Sequence, residues 1–168
     1  FATSHPDRVN HLFLESSGTG IDCKEARKKR FNRDLTLADS IKSDFNSFLE
    51  TWSRLSLFEN QRSRNEKYYQ FQLKERKTNQ PEHLSKCLLE FGQGNMRSYL
   101  DDYKELDIPI TLISGIEDDK YIRIAKHMSS LNKKTRHFIV ERSGHNVHLE
   151  SPAAFVGILQ KRSRLIND

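Results

Sequence analysis

The sequence predicts an α/β protein in which helices flank a parallel sheet. Short apolar runs at 11–15, 108–114 and 136–140 predict strands, whereas the long middle stretch shows helical spacing only. Near-continuous apolar strands are typical of parallel sheets that are buried on both faces. We therefore predict core segments at 1–20 and 99–168, and between them an inserted helical cap at 21–98.

The first strand is predicted at His11–Glu15, a run bounded by turn residues before it and by Ser16, Ser17 and Gly18 after it. In the predicted cap, apolar residues recur at intervals of three and four and form one stripe. Its members are Leu37, Ile41, Phe45, Phe48, Leu49, Trp52 and Leu55.

The chain after position 99 reads as strand, helix, strand, helix. Ile108–Ser114 predicts a strand with a proline near its start, where a missing donor is tolerated, and Arg136–Val140 predicts the next strand. Pro152 marks the start of the last helix. The apolar positions of the two helices are Ile122, Ile124, Ala125, Met128 and Leu131, then Phe155, Ile158, Leu159 and Leu165.

Composition excludes several classes of function. No run approaches the ~18 apolar residues of a membrane span, and the two cysteines, Cys23 and Cys87, lack the spacing of a metal site. The net charge is +5, yet acids interleave with the bases, which argues against a nucleic-acid surface. One dense basic cluster within 24–33 is interpreted as a solvated helix face. We expect a reduced, cytoplasmic protein that binds no nucleic acid, membrane or metal.

An acid and a histidine follow two neighbouring strands. Asp118 comes after the strand ending at Ser114, and His145 comes after the strand ending at Val140. Functional groups gather at the carboxyl ends of parallel strands, so we expect a carboxylate that orients an imidazole for proton transfer. Each residue also has an ordinary interpretation. Asp118 fits a helix N-cap, and His145 fits a loop histidine bonded to backbone.

His148 lies three positions after His145, and we interpret it as structural.

The segments PITLISGIED and GHNVHLESPAAF resemble the last third of α/β-hydrolase enzymes. FATSHPDRVNHLFLESS is similar to the segment that follows the nucleophile in that superfamily. Within the superfamily, LESSGTGI, WSRLSLF, LKERKTNQP, LLEFGQGN and GIEDDKYIRIAK resemble the menaquinone-pathway synthases of 2-succinyl-6-hydroxy-2,4-cyclohexadiene-1-carboxylate. The resemblance implies the C-terminal part of an α/β-hydrolase fold, plus a helical cap.

The resemblance also implies an activity, namely elimination of pyruvate from a small anionic substrate without metal or organic cofactor. Position by position, Asp118 matches the triad acid and His145 the triad histidine. Arg30 and Arg76 match cap arginines that bind the substrate's carboxylates, and Trp52 matches a tryptophan that lines the pocket. The ordinary interpretations are solvated helix arginines for Arg30 and Arg76, and a core residue for Trp52.

The 168 residues contain no G-x-S-x-G motif, so the resemblance places the triad serine upstream of Phe1. We therefore expect no turnover from this chain alone. The first strand would also have an exposed edge, for which we expect self-association, strand exchange, or an origin of the chain in a longer protein. Two other functions stay open: another α/β-hydrolase reaction, such as an esterase or carbon–carbon bond hydrolase, and a non-catalytic basic helical module.

Overall fold

The computed structural model describes residues 1–55 and 58–164, without the side chains at positions 59, 60, 163 and 164. The predicted position Leu165 lies outside the described residues. The chain divides into two compact units. One, the sheet unit, comprises Phe1–Gly18, Leu57–Glu66 and Asp101–Asp168, and the other, the helical unit, comprises Thr19–Ser56 and Lys67–Leu100.

Within the described residues, nine helices follow a 3-10 turn at Pro6–Arg8. They are α1 (Lys24–Ser43), α2 (Phe45–Ser53), α3 (Glu59–Arg64), α4 (Glu66–Lys77), α5 (Pro81–Phe91), α6 (Leu100–Glu105), α7 (Asp119–Leu131), α8 (Val147–Glu150) and α9 (Pro152–Arg164).

Across residues 1–55 and 58–164, three parallel strands form the sheet, in the order β1 (Leu12–Glu15), β2 (Ile110–Gly115) and β3 (Thr135–Val140). The predicted parallel α/β fold is thereby confirmed. The second strand starts two residues later than predicted, because Pro109 has no N–H to donate. The Pro109 carbonyl still accepts the Leu12 N–H at 2.9 Å, just ahead of the ladder.

Side chains of β2 alternate between two cores, as the period of a strand requires. Ile110 and Leu112 pack with Ala125 and Met128 of α7. Ile113 faces the other way and packs with Val140, Val147 and the apolar side of α9. The sheet is thus covered on both faces, which explains why its strands are continuously apolar.

The middle of the chain departs from the prediction in two ways. The expected single stripe is divided between α1 and α2, because Asp44 ends one helix and caps the next by accepting the Ser47 N–H at 3.0 Å. The predicted helical segment 21–98 is also not one unit, since Leu57–Glu66 belongs to the sheet unit. Ion pairs from Arg64 to Glu117 and Glu150 hold that stretch there.

Among the described residues, no helix has the length and apolarity needed to cross a bilayer. The same residues contain no group of three or more His, Cys, Asp or Glu placed to hold a metal ion. In the described sheet β1 is an outer strand, bonded to β2 on one side. Self-association through this edge stays a prediction.

Two histidines bond to hydroxyl groups of β2. His11 Nε2 lies 2.8 Å from Thr111 Oγ1, and His137 Nε2 lies 3.1 Å from Ser114 Oγ. Burial lowers the pKa of both imidazoles, and the nearby charges of Arg162 and Lys126 lower the pKa of His11 and His137 further. Both shifts favour the neutral form of the ring.

We expect the free energy of unfolding to fall as pH drops from about 8 to about 5, through the ordinary histidine pKa of about 6.5. The folded-state pKa of each histidine is depressed, so the unfolded chain binds more protons in that window. Urea unfolding of His137→Gln should show a weaker pH dependence than the parent. His127→Gln, on the exposed side of α7, is the control. An unchanged pH dependence in His137→Gln would contradict this account.

Candidate active site

The loop after β2 (116–118, the acid loop) and the loop after β3 (141–146, the histidine loop) lie against each other. The Ile116 N–H donates to the Val140 carbonyl at 2.9 Å, and the Glu117 N–H donates to the Ser143 carbonyl at 3.1 Å. A Cβ on Gly115 would lie 2.2 Å from the carbonyl oxygens of Ser143 and Gly144. Only glycine therefore allows this close approach at the carboxyl edge of the sheet.

This contact brings Asp118 and His145 together. Asp118 Oδ2 lies 2.7 Å from His145 Nδ1, although the residues are 27 positions apart. Asp118 is only 5% exposed, and its Oδ1 accepts the Tyr121 N–H at 3.3 Å. The carboxylate thus caps α7 and binds the imidazole at once. The N-cap interpretation and the expected contact with His145 both apply.

The geometry determines which ring nitrogen can act as a base. An ionised carboxylate can only accept a hydrogen bond, so Nδ1 of His145 carries the hydrogen and Nε2 is the acceptor. The ring is flanked by Tyr121, with centroids 4.9 Å apart, and by Phe58 at 6.4 Å in an edge-on arrangement. The imidazole is 19% exposed. A carboxylate that fixes the tautomer of a partly accessible imidazole is an arrangement suited to proton transfer.

Glu150 holds the backbone on both sides of His145. Its carboxylate accepts the Gly144 N–H at 2.9 Å and the Asn146 N–H at 3.4 Å, and its side chain is 2% exposed. Arg64 Nη1 donates to Glu150 Oε2 at 2.7 Å, and Arg64 Nη2 bonds Glu117 in the acid loop. Burial opposes the charge of Arg64, but the hydrogen bonds to the two glutamates outweigh it and raise the pKa of the guanidinium.

Sequence reasoning missed Arg64 and Glu150 as site residues. Glu150 carried a usable signal, because it lies in the same short segment as His145 and His148. Arg64 carried none, since it lies 53 and 86 positions from its two partners. The structural interpretation of His148 stays a prediction. Its ring and its N–H both bond Glu15 at the end of β1, at 2.8 and 2.9 Å.

Trp52 and Arg76 meet in the helical unit. Both line a cavity of about 240 Å³ whose other walls are mainly apolar, from Leu37, Ile41, Phe48, Leu49, Asn79, Leu84 and Leu88. Trp52 stacks on Phe48 with ring centroids 5.6 Å apart. Burial lowers the pKa of Arg76, but a guanidinium stays charged in proteins. The cavity therefore combines a cation with an apolar wall.

Arg30 does not line this cavity. Its Nε donates to Asp34 at 2.8 Å and its Nη1 to Gln93 at 3.0 Å. Asp34 is 1% exposed, so Arg30 supplies the counter-charge of a buried carboxylate. Of the two predicted substrate arginines, the structure places only Arg76 on the cavity with Trp52.

Gly115→Ala should destabilise the sheet unit by about 1–3 kcal/mol or more, because the added methyl group forces two backbone loops apart. Urea unfolding measures this loss. Gly157→Ala in α9 is the control, since its Cβ would meet nothing within 4 Å and alanine stabilises a helix interior by about 0.5–1 kcal/mol over glycine. If Gly115→Ala unfolds at the parental urea concentration, the loops do not make this contact.

No protein-family model matches the chain. A Bacillus subtilis (strain 168) protein, provisionally named a 2-succinyl-6-hydroxy-2,4-cyclohexadiene-1-carboxylate synthase, is 32% identical over 162 residues, which cover 96% of this chain and 59% of that protein. The structure of MenH from S. aureus has a TM-score of 0.93 and 23% identity, covering 99% of this chain and 65% of that one. The structure of a malate-bound esterase from Thermogutta terrifontis has a TM-score of 0.78 and 20% identity, covering 100% of this chain and 60% of that one.

The chain thus spans between 54% and 59% of the curated synthases that it matches. Both solved structures are less than 25% identical to this chain, so their similarity supports the fold and nothing further. The agreement of sequence and fold leads to one conclusion: the chain has the fold of the α/β-hydrolases and is similar in sequence to 2-succinyl-6-hydroxy-2,4-cyclohexadiene-1-carboxylate synthases.

Proposed function

We propose that this chain is part of a menaquinone-pathway enzyme that eliminates pyruvate from 2-succinyl-5-enolpyruvyl-6-hydroxy-3-cyclohexene-1-carboxylate. The observation that carries the proposal is the 2.7 Å contact between Asp118 Oδ2 and His145 Nδ1, in a chain 32% identical to a protein named for the product of that reaction. A serine upstream of Phe1 completes the triad, and the enzyme works in the cytoplasm.

His145 is the base in this mechanism. Asp118 holds the hydrogen on Nδ1, which leaves Nε2 free to take a proton from the serine hydroxyl, and the relay then removes a proton from the substrate ring. The ring electrons form a new double bond as the bond between the ring carbon and the enolpyruvyl oxygen breaks. The departing enolate takes a proton from the imidazolium and becomes pyruvate, which returns His145 to its neutral form. The buried carboxylate stabilises the imidazolium that forms, so the proton transfer needs no metal ion or organic cofactor.

Substrate recognition falls to the helical unit. The substrate carries several carboxylates, and a guanidinium offers the planar pair of donors that a carboxylate accepts. Arg76 fits this task because it lines a mainly apolar cavity beside Trp52. Arg30 is the second substrate arginine implied by the resemblance, and its bond to Asp34 makes it structural as well.

A second candidate is an esterase, because the contact between Asp118 and His145 suits that reaction as well. The same acid and histidine would then activate the serine for attack on an ester carbonyl. The two reactions differ in what the substrate presents to Arg76. An ester without carboxylates has no use for that cation.

The decisive experiment offers both substrates to a longer protein that carries the triad serine ahead of these 168 residues. Arg76→Ala should lower kcat/KM for pyruvate release about 10- to 100-fold, the loss expected for a hydrogen bond to a charged group of about 1.5–3 kcal/mol. Hydrolysis of a p-nitrophenyl ester should stay near the parental rate. Lys74→Ala, an exposed position on α4, is the matched control. Ester hydrolysis without pyruvate release would select the esterase.

The 168-residue chain by itself should release no pyruvate above background. Loss of the triad serine costs on the order of 10⁶ in rate in a comparable hydrolase, and the oxyanion donors of the serine elbow are lost with it. Coupling pyruvate to NADH oxidation by lactate dehydrogenase gives a sensitive assay. Release at the rate of the serine-bearing protein would show that the chemistry needs no upstream serine.

A further inference from the structure

We propose that Arg64 is a positioning residue that locks the acid loop to the histidine loop and so sets the Asp118–His145 geometry. This role deepens the proposed function, because it concerns the same pair of residues. It does not depend on which substrate that pair serves, since any reaction of the triad needs the pair intact.

The argument begins with the position of Arg64. It is the last residue of α3, a short helix far from either catalytic loop in sequence. One nitrogen of its guanidinium bonds Glu150 at 2.7 Å, and the other bonds Glu117. The side chain is 22% exposed, so solvent screens these ion pairs only partly.

Each glutamate is tied to one member of the pair. Glu117 directly precedes Asp118 in the acid loop. Glu150 accepts the N–H groups of Gly144 and Asn146, which flank His145. A planar guanidinium with two parallel donor directions can hold both carboxylates at a fixed separation, whereas a lysine supplies one point charge. Arg64 therefore links the two loops through a rigid group without touching the reacting atoms.

Charge explains why the link needs a cation. Glu117 and Glu150 both approach one guanidinium, and Asp118 lies one residue from Glu117. Without Arg64 the two carboxylates repel, and Glu150, 2% exposed, becomes a buried charge without its cation. The loops are then free to separate on the side away from Gly115, which would lengthen the contact between Asp118 and His145.

The first test uses proton NMR of the 168-residue chain and follows the His145 ring N–H bonded to Asp118, assigned by its loss in His145→Gln. R64Q should reduce this signal to less than half of the parental intensity, and R64K should give an intermediate value. R62Q is the matched control, because Arg62 lies on the same helix and pairs with the exposed Glu66. Parental intensity in R64Q, or an equal loss in R62Q, overturns the proposal.

The second test measures p-nitrophenyl ester hydrolysis and pyruvate release in the longer, serine-bearing protein. R64Q should lower kcat for whichever reaction the protein performs by about 10- to 100-fold, as expected for a misplacement of about 1 Å, with KM little changed. E117Q should lower kcat less, and R64Q/E117Q should match R64Q within about two-fold, because the two side chains act through one link. If the loss of kcat in R64Q/E117Q equals the product of the losses in R64Q and E117Q, the proposal is overturned.

The two proposals fail in different ways. Absence of pyruvate release from the parent refutes the synthase assignment and leaves the NMR result for Arg64 intact. A loss of pyruvate release in Arg76→Ala, combined with an unaffected R64Q, refutes the role of Arg64 alone.

Discussion

The buried carboxylate of Asp118 is the constraint on which the sheet unit's site depends. A carboxylate that is 5% exposed needs a hydrogen-bond donor for each oxygen. Oδ1 takes the Tyr121 N–H and so fixes the start of α7, and Oδ2 takes the ring of His145. Because one side chain satisfies both requirements, the helix start and the orientation of the imidazole are set together. A helix cap and a catalytic acid are therefore compatible uses of one residue.

The helical unit also contains a buried carboxylate whose oxygens accept hydrogen bonds, and there the bonds hold the fold of the unit together. Asp34, 1% exposed, accepts from the Arg30 guanidinium at 2.8 Å and from the Gly94 N–H at 3.4 Å. That second bond needs the backbone of Gly94 close to α1, where a Cβ would lie 2.4 Å from the backbone of Phe31. Arg30 thus stabilises the fold of its own unit. A variant of Arg30 would therefore disturb the fold of this unit whatever else it does.

Most of the fold could be predicted because its signals are local. Apolar runs bounded by turns gave three parallel strands, and two loops that end adjacent strands placed Asp118 beside His145. The break at Asp44 was missed, since the apolar period continues across it and only the capping bond to Ser47 interrupts the helix.

The arrangement around Arg64 could not be predicted for a different reason. Its ion pairs join residues 53 and 86 positions apart, and no periodicity or motif marks such a pair in a chain rich in charged residues. Because these partners are so far away in sequence, Leu57–Glu66 was assigned to the predicted helical cap, although it belongs to the sheet unit. Charged contacts between distant segments are fixed by the fold and leave no local signature.

The Asp118–His145 pair and the cavity beside Arg76 belong to different units of this chain. Tyr121 and Phe58, which contact this pair, belong to the sheet unit. Trp52 and Arg76 line a cavity whose lining residues all belong to the helical unit. A histidine held by a carboxylate serves ester hydrolysis and elimination equally well. The Asp118–His145 pair therefore does not by itself select a reaction. In the proposed function that choice rests on the cavity of the helical unit, where Arg76 is the cation that would favour a polyanionic substrate over a neutral ester.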